Sequence, residues 1–195
     1  MSDIGKAIDG VVSAELAPYL KSKGFKKRAR DFYRVDHESI ALINVQASQS
    51  NFGTEGKFTL NVGRYFPTVS DIDGKSMTGT MPKEYECTIR QRIGTLRDNN
   101  DHWWSLTSGS DSAAVSREVR KFAEAYAMPW LARTATIDSL RSMSDQLAPL
   151  TAASVALLAG DKAEAARIAN EFKQRRPAAR AHINAWAERN AIELV

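Results

Sequence analysis

The chain has 195 residues, of which 43% are hydrophobic and 26% are charged, a composition typical of a soluble protein with one ordinary domain, or one domain and an appendage. The single cysteine excludes an internal disulfide bond and a cluster of thiolate metal ligands. There is no apolar run of roughly 18 residues and no signal-peptide pattern, so we expect a cytoplasmic protein with no membrane partner.

The first predicted element is an amino-terminal helix over residues 4–20, where apolar side chains recur at three- and four-residue spacing. Gly24 suits the end of this helix, because glycine readily adopts the left-handed backbone of a helix C-terminus. Pro18 interrupts the pattern and predicts a kink or break near Ala17.

The next segment, Lys21–Arg34 (KSKGFKKRARDFYR), concentrates the positive charge of the chain. It carries +6, whereas the whole protein carries +4, so the remaining residues are slightly acidic. Phe25 and Phe32 among these cations would suit stacking on single-stranded nucleic acid, or they anchor a turn in the core while the cations are simply hydrated. The candidate nucleic-acid contacts lie in the loop expected after Gly24: Lys26, Lys27, Arg28 and Arg30.

Four segments then alternate apolar and polar residues with a period of two: 32–35, 40–48, 57–66 and 86–93. This alternation predicts an antiparallel sheet of about four or five strands with one buried face. The alternation places Cys87 on the apolar face, as an inert core residue.

The other face of the predicted sheet is polar and supplies the candidate binding residues. Two arginines that are two residues apart in a strand project together, and amides on neighbouring strands can orient a carboxylate, phosphate or amide ligand beside them. An ordinary solvent face, or a face packed on a helix through salt bridges, is the alternative. The residues are Asn44, Gln46, Asn61, Arg90 and Arg92.

Helical spacing returns after the Trp103–Trp104 pair. We expect one ring to seal the core, while the other is either exposed as an interaction anchor or, more commonly for such a pair, also anchored in the core or a loop. Before this pair, the linker 67–84 is expected to be a mobile loop or a short hairpin. A helix should end at Pro129, a second stripe runs to Leu147, and an alanine-rich helical hairpin with a last helix follows. We therefore predict an α+β fold: a domain over residues 1–147 with an N-terminal helix, the sheet and covering helices, and a helical appendage over 148–195.

No motif in the sequence predicts catalysis or a cofactor. The three histidines, His37, His102 and His182, lie far apart without metal-ligand spacing, and the glycines form no phosphate-binding loop. We expect no metal, no cofactor and no catalytic residue.

A family resemblance rests on the phrases GFKKRARDFYR, INVQAS, KFTLNVGRYFP, CTIRQRIGTL and WW, in this order. Together they resemble the bacterial family called domain of unknown function 4304, over roughly Val11 to Leu147. The resemblance implies no activity, cofactor or catalytic residue, and it leaves an interaction or toxin-neutralising role open.

The leading functional hypothesis is a non-catalytic cytoplasmic binding module of bacteria that neutralises a toxin or regulates a partner protein. The first alternative is a nucleic-acid-binding protein that uses residues 21–34. The second is an unrecognised enzyme with an arginine-lined site at Arg90 and Arg92.

Overall fold

An antiparallel sheet organises the amino-terminal two thirds of the chain in the computed structural model, which describes residues 2–75 and 77–195. The strands are β1 (Lys26–Arg28), β2 (Asp31–Val35), β3 (Ile40–Ala47), β4 (Gly56–Tyr65), β5 (Ile89–Arg92) and β6 (Trp104–Leu106). They lie in the order β1-β2-β3-β4-β5, and β6 pairs with the first part of β4. The α+β class and the antiparallel sheet are confirmed.

Helices cover the apolar face of this sheet and continue to the carboxyl terminus. They are α1 (Asp3–Val11), α2 (Ala17–Ser22), α3 (Pro67–Asp73), α4 (Ile93–Asp98), α5 (Ser112–Phe122), α6 (Met128–Arg133), α7 (Ile137–Arg141), α8 (Pro149–Leu158), α9 (Lys162–Arg175) and α10 (Arg180–Arg189). Within the described residues, no helix is both long enough and apolar enough to cross a membrane.

Two prolines that were expected to break helices do not break them. Pro18 and Pro129 each lie two residues after the end of a turn of π-helix, Val12–Leu16 and Ala123–Ala127 respectively. In each turn the closing N–H reaches the carbonyl five residues earlier, from Ala17 to Val12 and from Met128 to Ala123. A proline ring normally clashes with the carbonyl four residues before it, and the extra residue of the π-turn relieves that clash.

The core lies between the sheet and the helices, as the period-two pattern predicts. Phe58, Leu60 and Val62 of β4 are fully buried, and they pack in one cluster with residues of α1, α5 and α6. Arg64 lies on the same face of β4 and is also fully buried. The apolar face therefore contains one cation that must be compensated inside the protein.

The carboxyl-terminal helices have a second core and a polar link to the sheet domain. Ile183 and Trp186 of α10 are buried against α8 and α9. The Trp186 indole N–H donates to Ser154 Oγ (2.9 Å), and that hydroxyl donates to Asp73 of α3 (2.5 Å). The linker 67–84 thus contains helix α3, in place of the mobile loop or hairpin that was expected.

Candidate binding face

One row of side chains crosses four strands on the polar side of the sheet. The strand register places Asp31 opposite Asn44, Asn44 opposite Asn61, and Asn61 opposite Arg92. Arg90 lies opposite Gly63 in the adjacent row. Directly paired residues of a sheet share a face, so the amides and both arginines lie together, as the alternation predicted. We call this surface, Asp31, Asn44, Gln46, Asn61, Arg90 and Arg92, the polar face.

Hydrogen bonds between these side chains fix the amides of the polar face. Asn44 Nδ2 donates to Asp31 Oδ1 (2.6 Å), and Asn61 Nδ2 donates to Gln46 Oε1 (2.8 Å) and Asn44 Oδ1 (3.2 Å). Asn61 is almost completely buried, so its orientation is set by the protein rather than by solvent. The carbonyl and amide groups therefore form a rigid polar floor.

Both arginines at the edge of this floor bind carboxylates of the same chain. Arg90 Nη1 lies 2.7 Å from Glu84 Oε1, and Arg92 Nη1 lies 3.0 and 3.1 Å from the two oxygens of Asp101. The side chains of Arg90 and Arg92 keep 52% and 41% exposure, so solvent reaches both guanidinium groups. The carboxylate of Asp101 keeps 54% exposure and that of Glu84 keeps 19%, so solvent reaches both ion pairs and an acidic group from outside can exchange with either carboxylate.

Asp101 is held as an anion by two neighbours. A hydrogen bond from the Trp103 indole (2.8 Å) and the charge of Arg92 hold its pKa below the usual range. The Arg92 guanidinium also lies over the Trp103 ring, 5.3 Å from its centroid. Trp103 is half-buried and Trp104 is buried, which matches the expectation that one ring seals the core.

A cavity of about 630 Å³ stands above the polar face. The segment Lys83–Tyr85 forms one wall and strand β5 with Thr95 forms the other, while the polar row provides the floor. The five predicted binding residues all line this cavity. Asp31, Lys83, Glu84 and Tyr85 also line it and were not predicted, because pairing register and the fold of a linker bring them there.

The basic segment forms a strand in place of the predicted loop. Lys26, Lys27 and Arg28 are exposed on β1, which pairs with β2 and lies at the edge of the sheet. Charged residues on an edge strand prevent pairing with other chains. Arg30 follows the strand, where it bonds Asp9 (2.7 Å) and the Gly5 carbonyl (2.9 Å).

The aromatic residues of the basic segment are not available for stacking on bases. Phe25 and Phe32 are buried in the core. Tyr33 is also buried, and its hydroxyl donates to Asp31 (3.2 Å). Burial and the Asp31 charge raise the pKa of Tyr33, so its hydroxyl stays protonated. The cations therefore form an exposed edge without an aromatic platform.

Cys87 lies on the side opposite to the one predicted. The strand begins only at Ile89, so Cys87 ends the short 3₁₀ turn Glu84–Glu86 and does not follow the strand alternation. A Cβ built on Gly63 would lie 2.6 Å from Cys87 Sγ, which places the thiol above Gly63 on the polar side. Burial raises the pKa of the Cys87 thiol, and Glu84 adds to this effect. A protonated thiol is a poor nucleophile.

The histidines do not join the polar face. His102 packs between Trp104 and Phe122, with ring centroids 4.6 and 4.9 Å away, and its Nδ1 lies 3.2 Å from Arg97. Burial and the Arg97 charge lower the pKa of His102. His37 and His182 are exposed elsewhere. In the residues described, no group of three His, Cys, Asp or Glu side chains is arranged to hold a metal ion.

A family model described as "Domain of unknown function (DUF4304)" matches residues 16–133. No curated protein matches the chain, and no solved structure matches it. The matched residues include the whole polar face, whereas α7–α10 lie outside the match.

Proposed function

Because this chain belongs to the DUF4304 family, whose description assigns no activity, we propose from the geometry of the polar face that it is a non-catalytic binding module of the bacterial cytoplasm. Its partner is a protein that it neutralises, as an immunity protein neutralises a toxin, or regulates. The polar face is the contact surface. Acidic groups of the partner bind Arg90 and Arg92, and the amides of Asn44, Gln46 and Asn61 fix the orientation.

The observation that carries this proposal is the pairing of both arginines with exchangeable carboxylates beside a fixed amide floor. Glu84 and Asp101 show that a carboxylate fits each guanidinium in the geometry the fold provides. A partner carboxylate would replace an internal one and add contacts to the floor. Planar guanidinium groups suit carboxylates because two N–H groups can match two oxygens.

The chemistry around the cavity supports binding over catalysis. Catalytic groups usually have a pKa close to the working pH and lie within hydrogen-bond reach of one another. Here the Cys87 thiol is held protonated, and His102 is packed among aromatic rings away from the polar face. An enzyme with an arginine-lined site remains the third hypothesis, and turnover of a captured ligand would favour it.

Nucleic-acid binding through β1 is the second hypothesis, and the exposure of Lys26, Lys27 and Arg28 favours it. The burial of Phe25 and Phe32 weighs against single-stranded ligands. If RNA or DNA binds, the quadruple change of Lys26, Lys27, Arg28 and Arg30 to Gln should weaken binding at every sequence and flatten its salt dependence. Absence of binding to generic RNA and DNA at low salt would dismiss this hypothesis.

The test of the proposed function compares two pairs of arginines. A partner is captured from the native bacterium with the tagged full chain, identified, purified and titrated by calorimetry. The first variant is Arg90→Ala with Arg92→Ala. The matched control is Arg120→Ala with Arg167→Ala. Arg120 is 42% exposed, bonds Glu124 and lies over the Tyr19 ring, and so resembles Arg92 with Trp103. Arg167 is 55% exposed and bonds Glu164, and so resembles Arg90 with Glu84.

We expect the Arg90/Arg92 pair to lose about 2–5 kcal/mol of binding free energy, the range for truncation of a charge-assisted contact in an interface. The control pair should bind like the wild type. Equal affinity of the Arg90/Arg92 variant and the wild type would contradict the proposed function, and so would an equal loss in both variants.

A further inference from the structure

The outer edge of strand β5 has backbone groups that face away from the sheet. Ser48 N donates to Lys57 O between β3 and β4, and in an antiparallel ladder the groups alternate from residue to residue. The backbone groups of the even-numbered residues Val62 and Arg64 of β4 therefore face β5. Their partners in the register are Gln91 and Ile89, so the backbone groups of Gln91 and Ile89 face β4. The N–H and C=O of Arg90, and the N–H of Arg92, consequently point outward, and no backbone partner for them lies in residues 2–75 or 77–195.

Cavities adjoin this edge on both faces of the sheet. The cavity above the polar face, about 630 Å³, is bounded by Arg90 and Arg92. A second cavity of about 650 Å³ lies on the helix side. Its lining is mixed: Leu96, Trp130 and Met143 form the apolar part, beside the polar side chains of Asn99, Arg133, Ser142 and Gln146. Gln91 and Thr95 line both cavities, so the two meet around the edge of β5.

We propose that an extended segment of the partner protein adds to β5 as a further antiparallel strand, with the pattern acidic–apolar–acidic. This inference rests on the proposed function and specifies the partner. Residues opposite Arg90 and Arg92 share the polar face with them, at Cβ distances of roughly 5 Å, so acidic side chains there replace Glu84 and Asp101. The residue between them points to the helix side, where Leu96, Trp130 and Met143 receive an apolar side chain.

Strand addition combines two sources of affinity in this arrangement. The backbone groups of Arg90 and Arg92 supply hydrogen bonds, and the alternate side chains supply specificity. The charge around the polar cavity favours an acidic occupant over a basic one, because three cations, Lys83, Arg90 and Arg92, line it against two carboxylates, Asp31 and Glu84. The opposite edge of the sheet, β1, carries three exposed cations and no carboxylate.

The test uses a fluorescent seven-residue peptide of alternating glutamate and valine, measured by fluorescence polarisation with the full-length protein at low salt. In an antiparallel addition, the glutamates opposite Arg90 and Arg92 direct their N–H groups at β5, whereas the valine N–H groups point away. The parent peptide begins and ends with glutamate; one derivative is N-methylated on its two central glutamates and the other on two of its valines. The two have equal charge and an equal number of methyl groups, so they control for each other.

We expect the parent peptide and the valine-methylated peptide to bind. The glutamate-methylated peptide should bind at least about tenfold more weakly, because the hydrogen bond to the Arg90 carbonyl is lost and both methyl groups are directed at β5. Arg90→Ala with Arg92→Ala should abolish binding of the parent peptide. A peptide of four glutamates followed by three valines, with the same charge, should bind weakly.

Three results would overturn the inference: no binding of the parent peptide, equal effects of the two methylation patterns, or a dimer of this chain that the peptide dissociates, which would assign the edge to a second copy. Equal methylation effects, together with a native partner that still depends on Arg90 and Arg92, would reject strand addition alone. A native partner indifferent to both arginines would reject the proposed function itself.

Discussion

Arg64 is a fully buried cation, and we predict that removal of its partner charge destabilises the protein strongly. Its Nη1 donates to Asp36 (2.7 Å) and to Ser39 Oγ (2.8 Å), and its Nη2 donates to the Leu131 carbonyl (2.5 Å). These contacts join β4, the turn between β2 and β3, and helix α6. The perturbation is Asp36→Asn, which keeps the shape of the side chain and removes its charge.

The magnitude follows from burial. Breaking a buried ion pair by removing one partner costs about 3–5 kcal/mol, because the other charge stays desolvated without compensation. Arg64 has no exposure, whereas Asp36 keeps 29% and also binds Arg34 at 2.9 Å. We therefore expect the lower end, about 3 kcal/mol. For a chain of this length that loss lowers the melting temperature by roughly 6–12 °C.

The assay is urea unfolding at pH 7, followed by circular dichroism, with Asp3→Asn as the control. Asp3 pairs with Lys6, but its side chain is 74% exposed, so the control should stay within about 0.5 kcal/mol of the wild type. If Asp36→Asn also stays within about 0.5 kcal/mol, the argument from Arg64 burial is wrong.

The pH dependence gives a second check of the same ion pair. Burial alone would raise the pKa of Asp36, but hydrogen bonds and charge from Arg34 and Arg64 outweigh it and hold the pKa below its usual range. A lowered pKa in the folded state gives stability that is complete above the unfolded value, about 3.9, and is lost as the pH falls through the folded value. The difference between Asp36→Asn and the wild type should therefore be constant near neutral pH and shrink in acid. A difference that grows in acid would contradict this sign.

Three further predictions concern the rest of the fold. Ser154→Ala should lower the free energy of unfolding in urea by about 1–3 kcal/mol, because Asp73 and Trp186 both lose their buried partner. The control Ser142→Ala, at an exposed serine, should be nearly neutral, and equal effects of the two changes would show that the buried link contributes nothing. Gly63→Ala should speed labelling of Cys87 by a thiol reagent, because the new Cβ would lie 2.6 Å from Sγ and displace the segment that carries Lys83–Tyr85; unchanged labelling would contradict that placement. A chain that ends at Leu147 should keep its sheet signal in circular dichroism. Its stability should be reduced, because Ala152 and Val155 of α8 belong to the main core. A wholly unfolded product would show that both parts form one cooperative unit.

The polar face was predictable because one physical rule determines it. A strand with one buried face alternates, so the buried Leu60 and Val62 fix the side on which Asn61 lies. Arg90 and Arg92 follow from the same rule. The rule also places Arg64 on the apolar face, and an arginine in that position is the sequence signal for the buried ion pair.

The features that the sequence analysis missed depend on tertiary contacts. Strand β1 consists of Lys26–Arg28, which has no apolar alternation and forms a strand only because β2 pairs with it. Pro18 stays within a helix because a π-turn relieves its clash. Cys87 leaves the strand pattern because the strand starts two residues later. None of these outcomes follows from periodicity along the chain.

The most direct test of the polar face as the binding surface is hydrogen–deuterium exchange of the full-length protein, alone and with the partner purified from the native host. We predict that the partner slows exchange in residues 83–95, where Arg90 and Arg92 have outward-facing amides, and leaves residues 21–30 unchanged. Protection confined to residues 21–30, or to the helices after Pro149, with none at 83–95, would contradict the account.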